Sequence, residues 1–435
     1  MRIAVIGGGY VGLVSGACFA NLGIAVTVVE ADPGRLDALQ NGRIPIYEPG
    51  LDKLVADNVA AGRLGFTGGI AEGIAGAEVV FIAVGTPSRR GDGHADTSYV
   101  YAAVEQVARA ATGYVVIATK STVPVGTGRR VEQIVRDANP ALEFDVASNP
   151  EFLREGSAIG DFQRPDRVVI GAETERAREV MRRLYRPLYL IETPILFTGL
   201  ETAELVKYAA NSFLAMKITF INEMADLCEK VGADVHDVSR GIGLDGRIGR
   251  KFLHPGPGYG GSCFPKDTLA LMRIAQDHGA PSRLVEATVG VNDARKSSMA
   301  ARVVKACGGS VHGRTIAVLG LTFKPETDDM RDAPSLPIVG RLVEAGAKVR
   351  VFDPVGMEAA RAMLPPEVAY CTGALDAAQG ADALVVVTEW GEFRALAPAA
   401  LAGAMAGRVV VDLRNVFDPQ ALREAGFEYT GIGRR

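Results

Sequence analysis

Residues 2–12 read RIAVIGGGYVG, and this stretch sets the expected architecture of the 435-residue chain. Five β-rich apolar residues lead directly into Gly7, Gly9 and Gly12, which have the spacing G-x-G-x-x-G before a helix-like segment. The first glycine permits a tight turn, the second lets the backbone approach a pyrophosphate, and the third lets helix and strand pack closely. The pattern predicts a Rossmann turn that binds a dinucleotide at the start of a helix.

The acid that ends the next apolar run favours NAD over NADP. Glu30 closes VTVVE, 18 residues after Gly12, where a carboxylate accepts hydrogen bonds from ribose hydroxyls and repels a 2′-phosphate. A glycine-rich turn without a ligand is the other interpretation, and the acid together with the strand–helix context argues against it. Arg35 covers the adenine or is a solvated helix residue, and the sequence leaves both open. Residues 84–88 and 121–123 end later strands and are expected to edge the same crevice.

Continuous apolar runs recur between helical patterns, which predicts a parallel sheet covered on both faces. From Arg314 the opening pattern returns in RTIAVLGLTFKP, which resembles the first strand and turn. Two later stretches repeat the pattern: residues 347–354 (AKVRVFDP) resemble residues 26–33 (VTVVEADP), and residues 381–390 (ADALVVVTEW) resemble residues 78–87 (EVVFIAVGTP). The second turn lacks G-x-G-x-x-G, so a second doubly wound domain without a second dinucleotide is expected.

Between the two sheets, residues 201–231 contain neither Gly nor Pro, and Gly232 follows them. This predicts one long helix that connects domains and contributes to an oligomer contact, followed by a helical block over 267–307. The expected fold is α/β, with two doubly wound Rossmann-like domains joined by a long central helix and a helical dimerisation core. The expected domains are 1–197 for the dinucleotide, 198–308 for the central helical part, and 309–435 for the second sheet.

Composition excludes several classes of function. The net charge of −4 and the lack of a basic run argue against a nucleic-acid partner. Five scattered cysteines form no C-x-x-C pair, which argues against a zinc knuckle or a disulfide framework and favours a reducing compartment. The chain begins without a signal-peptide pattern and has no apolar run of about 18 residues, so a cytoplasmic protein without a membrane span or a metal site is expected.

Three polar residues share one face of the long helix. Glu204, Lys207 and Asn211 are spaced i, i+3 and i+7. A lysine and an asparagine one turn apart can both donate to one oxygen, which suits an alkoxide or a tetrahedral oxyanion. The same spacing is typical of a solvated stripe, and the helix alone does not distinguish the two.

The loop FLHPGPGYGGSCFPKDT, residues 252–268, surrounds Cys263 with four glycines and three prolines. A nucleophile and a structural thiol are equally compatible with it, whereas the other four cysteines lie in helix or strand patterns typical of buried residues. A thiol beside an NAD site adds to an aldehyde, and loss of hydride from the adduct gives a thioester that water hydrolyses. Lysine, asparagine and cysteine together therefore suggest a four-electron oxidation of an alcohol to an acid, with a lysine or carboxylate moving protons.

The chain resembles the UDP-glucose/GDP-mannose dehydrogenase family along nearly its whole length. The motifs that carry the resemblance are GGGYVGLVSGACFANLG, KSTVPVGT, NPEFLREGSAIGDF, ELVKYAANSFLAMKITFINE, GYGGSCFPKD and TFKPETDDMRDAPS. The family implies an NAD domain, a helical dimerisation core and a C-terminal domain that binds a sugar nucleotide. The implied reaction is oxidation of UDP-glucose to UDP-glucuronate, for use in polysaccharide synthesis, with reduction of two NAD⁺.

The resemblance also implies a role for each matching residue. The implied catalytic set is Cys263 as nucleophile, Lys207 and Asn211 at the oxyanion, Asp267 and Thr122 at the attacking water, and Glu151 in thioester hydrolysis. The implied cofactor contacts are Gly7, Gly9, Tyr10, Val11, Gly12, Glu30, Arg35, Thr86, Pro87, Ser121, Thr122, Glu155, Lys266 and Arg331. The implied substrate contacts are Glu151, Phe152, Leu153, Lys207, Asn211, Arg247, Phe252, Leu253, Gly256, Gly260, Lys324 and Arg414.

Arg247 is expected to reach across a homodimer into the partner's site. Other sugar nucleotides stay open as substrates, among them GDP-mannose. Enzymes that act on UDP-N-acetylmannosamine usually have a histidine before the cysteine, whereas this chain has Ser262, which argues against that substrate. Two further alternatives are a two-electron hydroxy-acid dehydrogenase and a non-catalytic NAD-binding regulator. The first lacks the loop cysteine, and the second needs none of the reactive residues.

Overall fold

The computed structural model describes residues 1–89 and 92–434. The chain divides into two compact units, Met1–Ala210 with Leu269–Ala280, and Asn211–Thr268 with Pro281–Arg435. The three-domain division expected from the sequence stays a prediction.

The described part of the first unit holds an eight-stranded sheet in the order β3-β2-β1-β4-β5-β6-β7-β8. Its strands are β1 Arg2–Ile6, β2 Ala25–Val29, β3 Leu64–Thr67, β4 Val79–Ile82, β5 Val115–Thr119, β6 Phe144–Ser148, β7 Val168–Ala172 and β8 Ile195–Thr198. Neighbouring strands are parallel except β6 and β7, which are antiparallel. The apolar runs predicted a parallel sheet, and the change of strand direction between β6 and β7 is the part of the topology that they did not predict.

Helices cover both faces of this sheet and bury its continuous apolar strands, as the sequence predicts. They are α1 Tyr10–Asn21, α2 Pro33–Gln40, α3 Leu51–Ala60, α4 Ile70–Gly73, α5 Ser98–Ala110, α6 Thr127–Ala138, α7 Ala158–Gln163 and α8 Glu175–Tyr185, followed by a 3₁₀ helix at Arg186–Ile191. One hydrophobic cluster includes α1 and α8, and a second includes α5 and α6.

The long helix α9 runs over Leu200–Val231 and ends at Gly232, which has a φ of +79°. Only glycine adopts this left-handed conformation without strain, so the predicted stop is the observed one. α10 Val235–Gly243 follows. The predicted helical block consists of two helices, α11 Phe264–Asp277 and α12 Arg283–Ala306, because Gly279 and Pro281 interrupt it.

The second unit contains a fully parallel six-stranded sheet in the order β11-β10-β9-β12-β13-β14. Its strands are β9 Thr315–Leu319, β10 Lys348–Phe352, β11 Ala369–Tyr370, β12 Ala383–Val386, β13 Val409–Asp412 and β14 Glu428–Thr430. The accompanying helices are α13 Ser335–Glu344, α14 Met357–Arg361, α15 Ala374–Ala378, α16 Gly391–Arg394, α17 Pro398–Ala404 and α18 Pro419–Glu424. The prediction of a second doubly wound sheet is confirmed.

The glycines after β1 have different steric surroundings. Gly7 has a φ of +108°, and a Cβ on Gly12 would lie 1.9 Å from the Gly7 carbonyl oxygen. A Cβ on Gly9 would meet no atom within 4 Å. Gly12 is thus required for packing of α1 on β1, whereas Gly9 leaves open space above the turn.

We expect Gly12→Ala to lower the free energy of unfolding by at least about 2 kcal/mol, because the methyl group forces α1 away from β1. Gly9→Ala is the matched control and should change it by less than about 1 kcal/mol, since its methyl group faces open space. Urea unfolding followed by circular dichroism measures both. Equal losses in the two variants would contradict the close approach at Gly12.

Candidate active site

The acid at the end of β2 is anchored to the glycine turn. Glu30 is buried, and its carboxylate accepts hydrogen bonds from the Gly8 amide at 3.0 Å and from the Asp32 amide at 2.8 Å. A Cβ on Gly8 would lie 2.7 Å from the Glu30 carboxylate. The middle glycine therefore makes room for the acid, a role that the G-x-G-x-x-G spacing does not reveal.

The start of α1 fits the pyrophosphate of NAD. The N-cap residue Gly9 provides no side-chain cap to the first amides of α1, and the first turn carries no acidic residue. Unsatisfied amides at a helix start attract a phosphate, and the open space at Gly9 lets the phosphate approach them. Tyr10 and Val11 form the first turn of α1. Arg35 lies exposed in the first turn of α2, so its adenine contact stays a prediction.

The loops after β4 and β5 are tied together beside this turn, at the carboxyl ends of the strands. The Thr86 hydroxyl donates to the Thr122 carbonyl oxygen at 2.9 Å. The Ser121 hydroxyl donates to the Val84 carbonyl oxygen at 2.6 Å. Pro87 follows in the same loop, so the structure groups these predicted cofactor residues at one edge of the sheet.

A buried glutamate that the sequence analysis missed organises the segment around Glu155. Glu48 accepts a short hydrogen bond from the Tyr10 hydroxyl, and it accepts from the amides of Gly156 at 2.6 Å and Ala158 at 2.7 Å. Burial, and then the bond to Glu48, raises the pKa of Tyr10, which keeps its hydroxyl a donor. No local signal points to Glu48, because its amide partners lie more than 100 positions later in the chain.

Lys207 and Glu151 form a buried ion pair within the first unit. The Lys207 Nζ lies 2.9 Å from Glu151 Oε1, and Glu151 Oε2 accepts from the Leu153 amide at 2.5 Å. Burial acts to raise the pKa of Glu151, but the Lys207 ammonium and the hydrogen bonds outweigh it and hold that pKa below its usual range. The Lys207 ammonium also lies 5.4 Å from the centre of the Phe152 ring. The predicted proton-transfer residues therefore meet.

One turn earlier on α9, Glu204 holds the start of α6. Its carboxylate accepts from the amides of Gly126 at 2.6 Å and Gly128 at 2.7 Å. Burial raises the pKa of Glu204 to about 7, although these two amides oppose the shift. Glu204 thereby anchors the segment that follows Thr122, and it is a structural member of the polar face predicted on the helix.

In the second unit, Asn211 and Lys266 both bind the buried carboxylate of Asp267. The Asn211 amide nitrogen donates to Asp267 Oδ2 at 2.6 Å, and the Lys266 ammonium donates to Oδ1 at 2.6 Å. These two bonds fix the orientation of the carboxylate, as a residue that positions water requires.

Cys263 immediately precedes α11, and its carbonyl oxygen accepts from the Asp267 amide at 2.8 Å. Asp329 steadies this loop, since its carboxylate accepts from the Ser262 amide at 3.0 Å and from Arg331 Nε at 2.7 Å. The other four cysteines are buried, whereas Cys263 is partly exposed. Asp329 is a second residue that the sequence analysis missed.

The loop that contains the predicted substrate contacts packs closely in the second unit. Phe252 adopts a φ of +63°, a strained conformation for a bulky residue. A Cβ on Gly256 would lie 2.8 Å from the Arg414 guanidinium, which donates to the Phe323 carbonyl oxygen at 3.2 Å. Phe323 directly precedes the predicted contact Lys324. Elsewhere in the loop, Leu253 is buried and Gly260 lies against the backbone of residue 332.

Arg247 differs from the other predicted substrate residues. Its side chain is 90% exposed, and its guanidinium pairs with Asp245 at 2.7 Å. An exposed arginine of this kind is available to a second molecule, so its role across a dimer stays a prediction.

The predicted residues thus fall into two groups, one in each unit. The first contains the glycine turn, Glu30, the β4 and β5 loops, and the Lys207–Glu151 pair; the second contains Asn211, Asp267, Cys263 and the substrate loop. Within the described residues, no group of three or more His, Cys, Asp or Glu side chains is arranged to hold a metal ion. No helix in that part of the chain is long and apolar enough to cross a membrane.

Three family models match consecutive parts of the chain. All three describe domains of the UDP-glucose/GDP-mannose dehydrogenase family. The model of the NAD binding domain matches residues 1–189, that of the central domain matches residues 201–294, and that of the UDP binding domain matches residues 317–419.

The chain is similar over its whole length to curated and structurally solved proteins. It is 61% identical to a UDP-glucose 6-dehydrogenase of Rhizobium meliloti, with 100% of each chain covered, and 48% identical to one of Pseudomonas aeruginosa, with 100% and 98% covered. A UDP-glucose dehydrogenase structure from Pyrobaculum islandicum matches with a TM-score of 0.92 and 40% identity over 100% of this chain and 98% of that one.

We expect Glu204 to make stability depend on pH. Its pKa is about 7 in the folded chain and 4.5 ordinarily, so between these values the folded state binds more protons than the unfolded state. The contribution of Glu204 to the free energy of unfolding therefore falls by up to about 3 kcal/mol as the pH rises through this range. Urea unfolding at several pH values should show a smaller fall in Glu204→Gln than in the unchanged protein.

Glu201→Gln is the control for this experiment: it should keep the fall in stability but move it to lower pH, because the Glu201 charge is one of the smaller causes that raise the pKa of Glu204. Glu201 lies on the same helix but pairs with Arg129 at 2.7 Å near the surface, and its pKa is lowered, so it titrates below this window. An unaltered pH dependence in Glu204→Gln would contradict the titration assigned to Glu204.

Proposed function

Because this chain belongs to the UDP-glucose/GDP-mannose dehydrogenase family, we propose that it oxidises UDP-glucose to UDP-glucuronate with two molecules of NAD⁺. The observation that carries the proposal is the placement of Cys263. It is the one cysteine of five that is not buried, and it stands at the start of α11, four residues before the anchored Asp267. A two-electron dehydrogenase has no use for such a thiol.

The residues of the chain divide the chemistry between them. Bound NAD⁺ supplies the hydride acceptor for both oxidations. The deprotonated amine of Lys207 takes the proton of the sugar hydroxyl and becomes an ammonium, and Lys207 and Asn211 then donate to the oxyanion. The ion pair with Glu151 fixes the position of the Lys207 ammonium and gives its proton a carboxylate partner 2.9 Å away.

Cys263 makes the second oxidation possible. The thiolate adds to the aldehyde carbon and forms a C–S bond; hydride loss from this thiohemiacetal leaves a thioester. Water then attacks the thioester carbon, the C–S bond breaks, and the thiolate is regenerated with the carboxylate product. Asp267 and Thr122 position that water, and Glu151 assists the hydrolysis. The overall balance is one UDP-glucose, one water and two NAD⁺ giving UDP-glucuronate with its new carboxylate, two NADH and three protons.

A uridine nucleotide is the favoured substrate because the UDP binding model of the family matches residues 317–419. Lys324 and Arg414 lie in this segment and supply cations for the diphosphate. GDP-mannose and other UDP-sugars are the competing substrates, and comparison of their rates of NADH formation distinguishes them.

We infer a homodimer through α9. Phe213, Phe220 and Leu227 are exposed on this helix at intervals of seven residues, which places them along one stripe. An exposed apolar stripe of this length is typical of a helix–helix contact. In such a dimer, Arg247 would reach the substrate bound to the partner subunit.

The scattered cysteines and the use of NAD favour a cytoplasmic location for the protein.

We expect Cys263→Ser to abolish steady-state NADH formation from UDP-glucose, because serine cannot form the thioester. NAD binding, measured by calorimetry, should be unchanged, and the unsubstituted protein should yield two NADH per UDP-glucose. Cys307→Ala, which changes a buried cysteine at the end of α12, is the control and should retain turnover. Turnover by Cys263→Ser at the normal rate would remove the covalent mechanism, and a yield of one NADH would favour the two-electron alternative.

We expect Arg247→Ala to raise the KM for UDP-glucose about 10- to 100-fold, as loss of charge-assisted hydrogen bonds predicts, without a change in the dimer measured by light scattering. Arg283→Ala is the control, since Arg283 is also exposed and pairs within its own chain, with Glu286 at 2.9 Å. An unchanged KM in Arg247→Ala would argue against the shared site.

A further inference from the structure

Lys120 is a buried cation to which neither the sequence motifs nor the proposed reaction assigns a role. It directly follows β5 and is 4% exposed. Its ammonium donates to Asn149 Oδ1 and to the Tyr185 hydroxyl, both at 3.1 Å. Within the described residues, no carboxylate lies close enough to form an ion pair with it. A buried ammonium without a carboxylate partner is costly, so a compensating function is expected.

The surroundings hold this ammonium in one place. The Tyr185 hydroxyl donates to Asn149 Oδ1 at 2.5 Å, and Asn149 Nδ2 donates to the Val169 carbonyl oxygen at 2.8 Å. The ammonium also lies 5.6 Å from the centre of the Phe81 ring. Asn149 and Tyr185 are therefore held in place as acceptors for the Lys120 ammonium.

Three buried charges share this part of the first unit. Glu151 follows Asn149, the partner of Lys120, by two residues; it pairs with Lys207 at 2.9 Å and interacts electrostatically with Lys120 as well. Burial, and then the charge of Lys207, lowers the pKa of Lys120 to about 8, whereas Glu151 acts to raise it. Lys120 in turn is one of the groups that lower the pKa of Glu151.

Other ionisable groups face this cluster. Tyr185 reaches it from α8, and burial raises the pKa of its hydroxyl, which stays neutral. Arg167, just before β7, interacts electrostatically with Glu151 and with its own neighbour Asp166. Lys120 is therefore the buried cation that acts on Glu151 without an ion pair of its own among the described residues.

We propose that Lys120 is a positioning residue whose charge keeps Glu151 ionised and makes it easier for Lys207 to give up its proton. The proposal deepens the proposed function, because it concerns the same proton-transfer pair. Electrostatic coupling is mutual: a cation favours a nearby anion and disfavours a nearby cation by comparable free energies. Loss of the Lys120 charge should raise the pKa of Glu151 and the pKa of Lys207. A higher pH is then needed before Glu151 is ionised and Lys207 can accept a proton from the substrate.

The test is the pH dependence of kcat for UDP-glucose oxidation in Lys120→Met and Lys120→Gln. Lys120→Gln keeps a donor for Asn149 and decides the question if Lys120→Met does not fold. We expect the acidic limb of the profile to move up by about one pH unit, with kcat about tenfold lower on that limb and KM little changed. Tyr185→Phe is the control: it removes one hydrogen bond but keeps the charge, and its acidic limb should stay in place.

A second measurement does not depend on turnover. Infrared spectroscopy of the ligand-free protein detects the C=O band of a protonated carboxyl group, and subtraction of the spectrum of Glu151→Gln identifies the band of Glu151. We expect this band to appear at higher pH in Lys120→Gln than in the unsubstituted protein. An unshifted band overturns the proposal even if UDP-glucose proves not to be the substrate. A shifted band in a protein that does not oxidise UDP-glucose supports the electrostatic role and refutes only the proposed function.

Discussion

The uninterrupted periodicity of α9 is the constraint on which the site depends. Glu204, Lys207 and Asn211 keep their spacing of i, i+3 and i+7 along one helix because no glycine or proline interrupts its 32 residues. Each of them binds a group from a distant part of the sequence: the amides at the start of α6, the Glu151 carboxylate and the Asp267 carboxylate. A one-residue insertion between them would rotate one side chain by about 100° relative to the next and separate it from its partner.

Buried carboxylates hold the loops at the strand ends in place through hydrogen bonds, and the carboxylates of the two sheets have different partners. After β2, Glu30 accepts from Gly8 and Asp32 and leaves the start of α1 open. At the corresponding place after β10, Asp353 accepts from the amides of Leu321, at 2.7 Å, and Thr322, at 3.1 Å, and from Trp390 Nε1 at 3.1 Å. In the second sheet the acid closes the turn with its own hydrogen bonds. This gives a physical reason why the repeated fold does not imply a repeated dinucleotide site.

The sequence predicted the features that local pattern controls. The turn after β1, the two strand-and-helix sheets and the end of α9 at Gly232 follow from glycine spacing and apolar runs, and the structure contains them, although β6 and β7 pair antiparallel where a parallel sheet was predicted. The partners of Glu48 and Glu204 could not be predicted, because they are backbone amides about 110 and 80 residues away with no side-chain signature. The role of Lys120 could not be predicted for a similar reason, because its partners Asn149 and Tyr185 lie 29 and 65 residues later in the chain. Residue roles depend on which distant segments meet, and a single sequence does not contain that information.

The unequal burial of the five sulfur atoms has a practical consequence. Cys18, Cys228, Cys307 and Cys371 are enclosed by packed side chains, whereas Cys263 lies partly open in its glycine-rich loop. A mild alkylating reagent should therefore attach one tag per chain, at a position that the sugar nucleotide shields under the proposed function. The mass of the intact chain would then report how much of a preparation carries ligand, without any coupled optical signal.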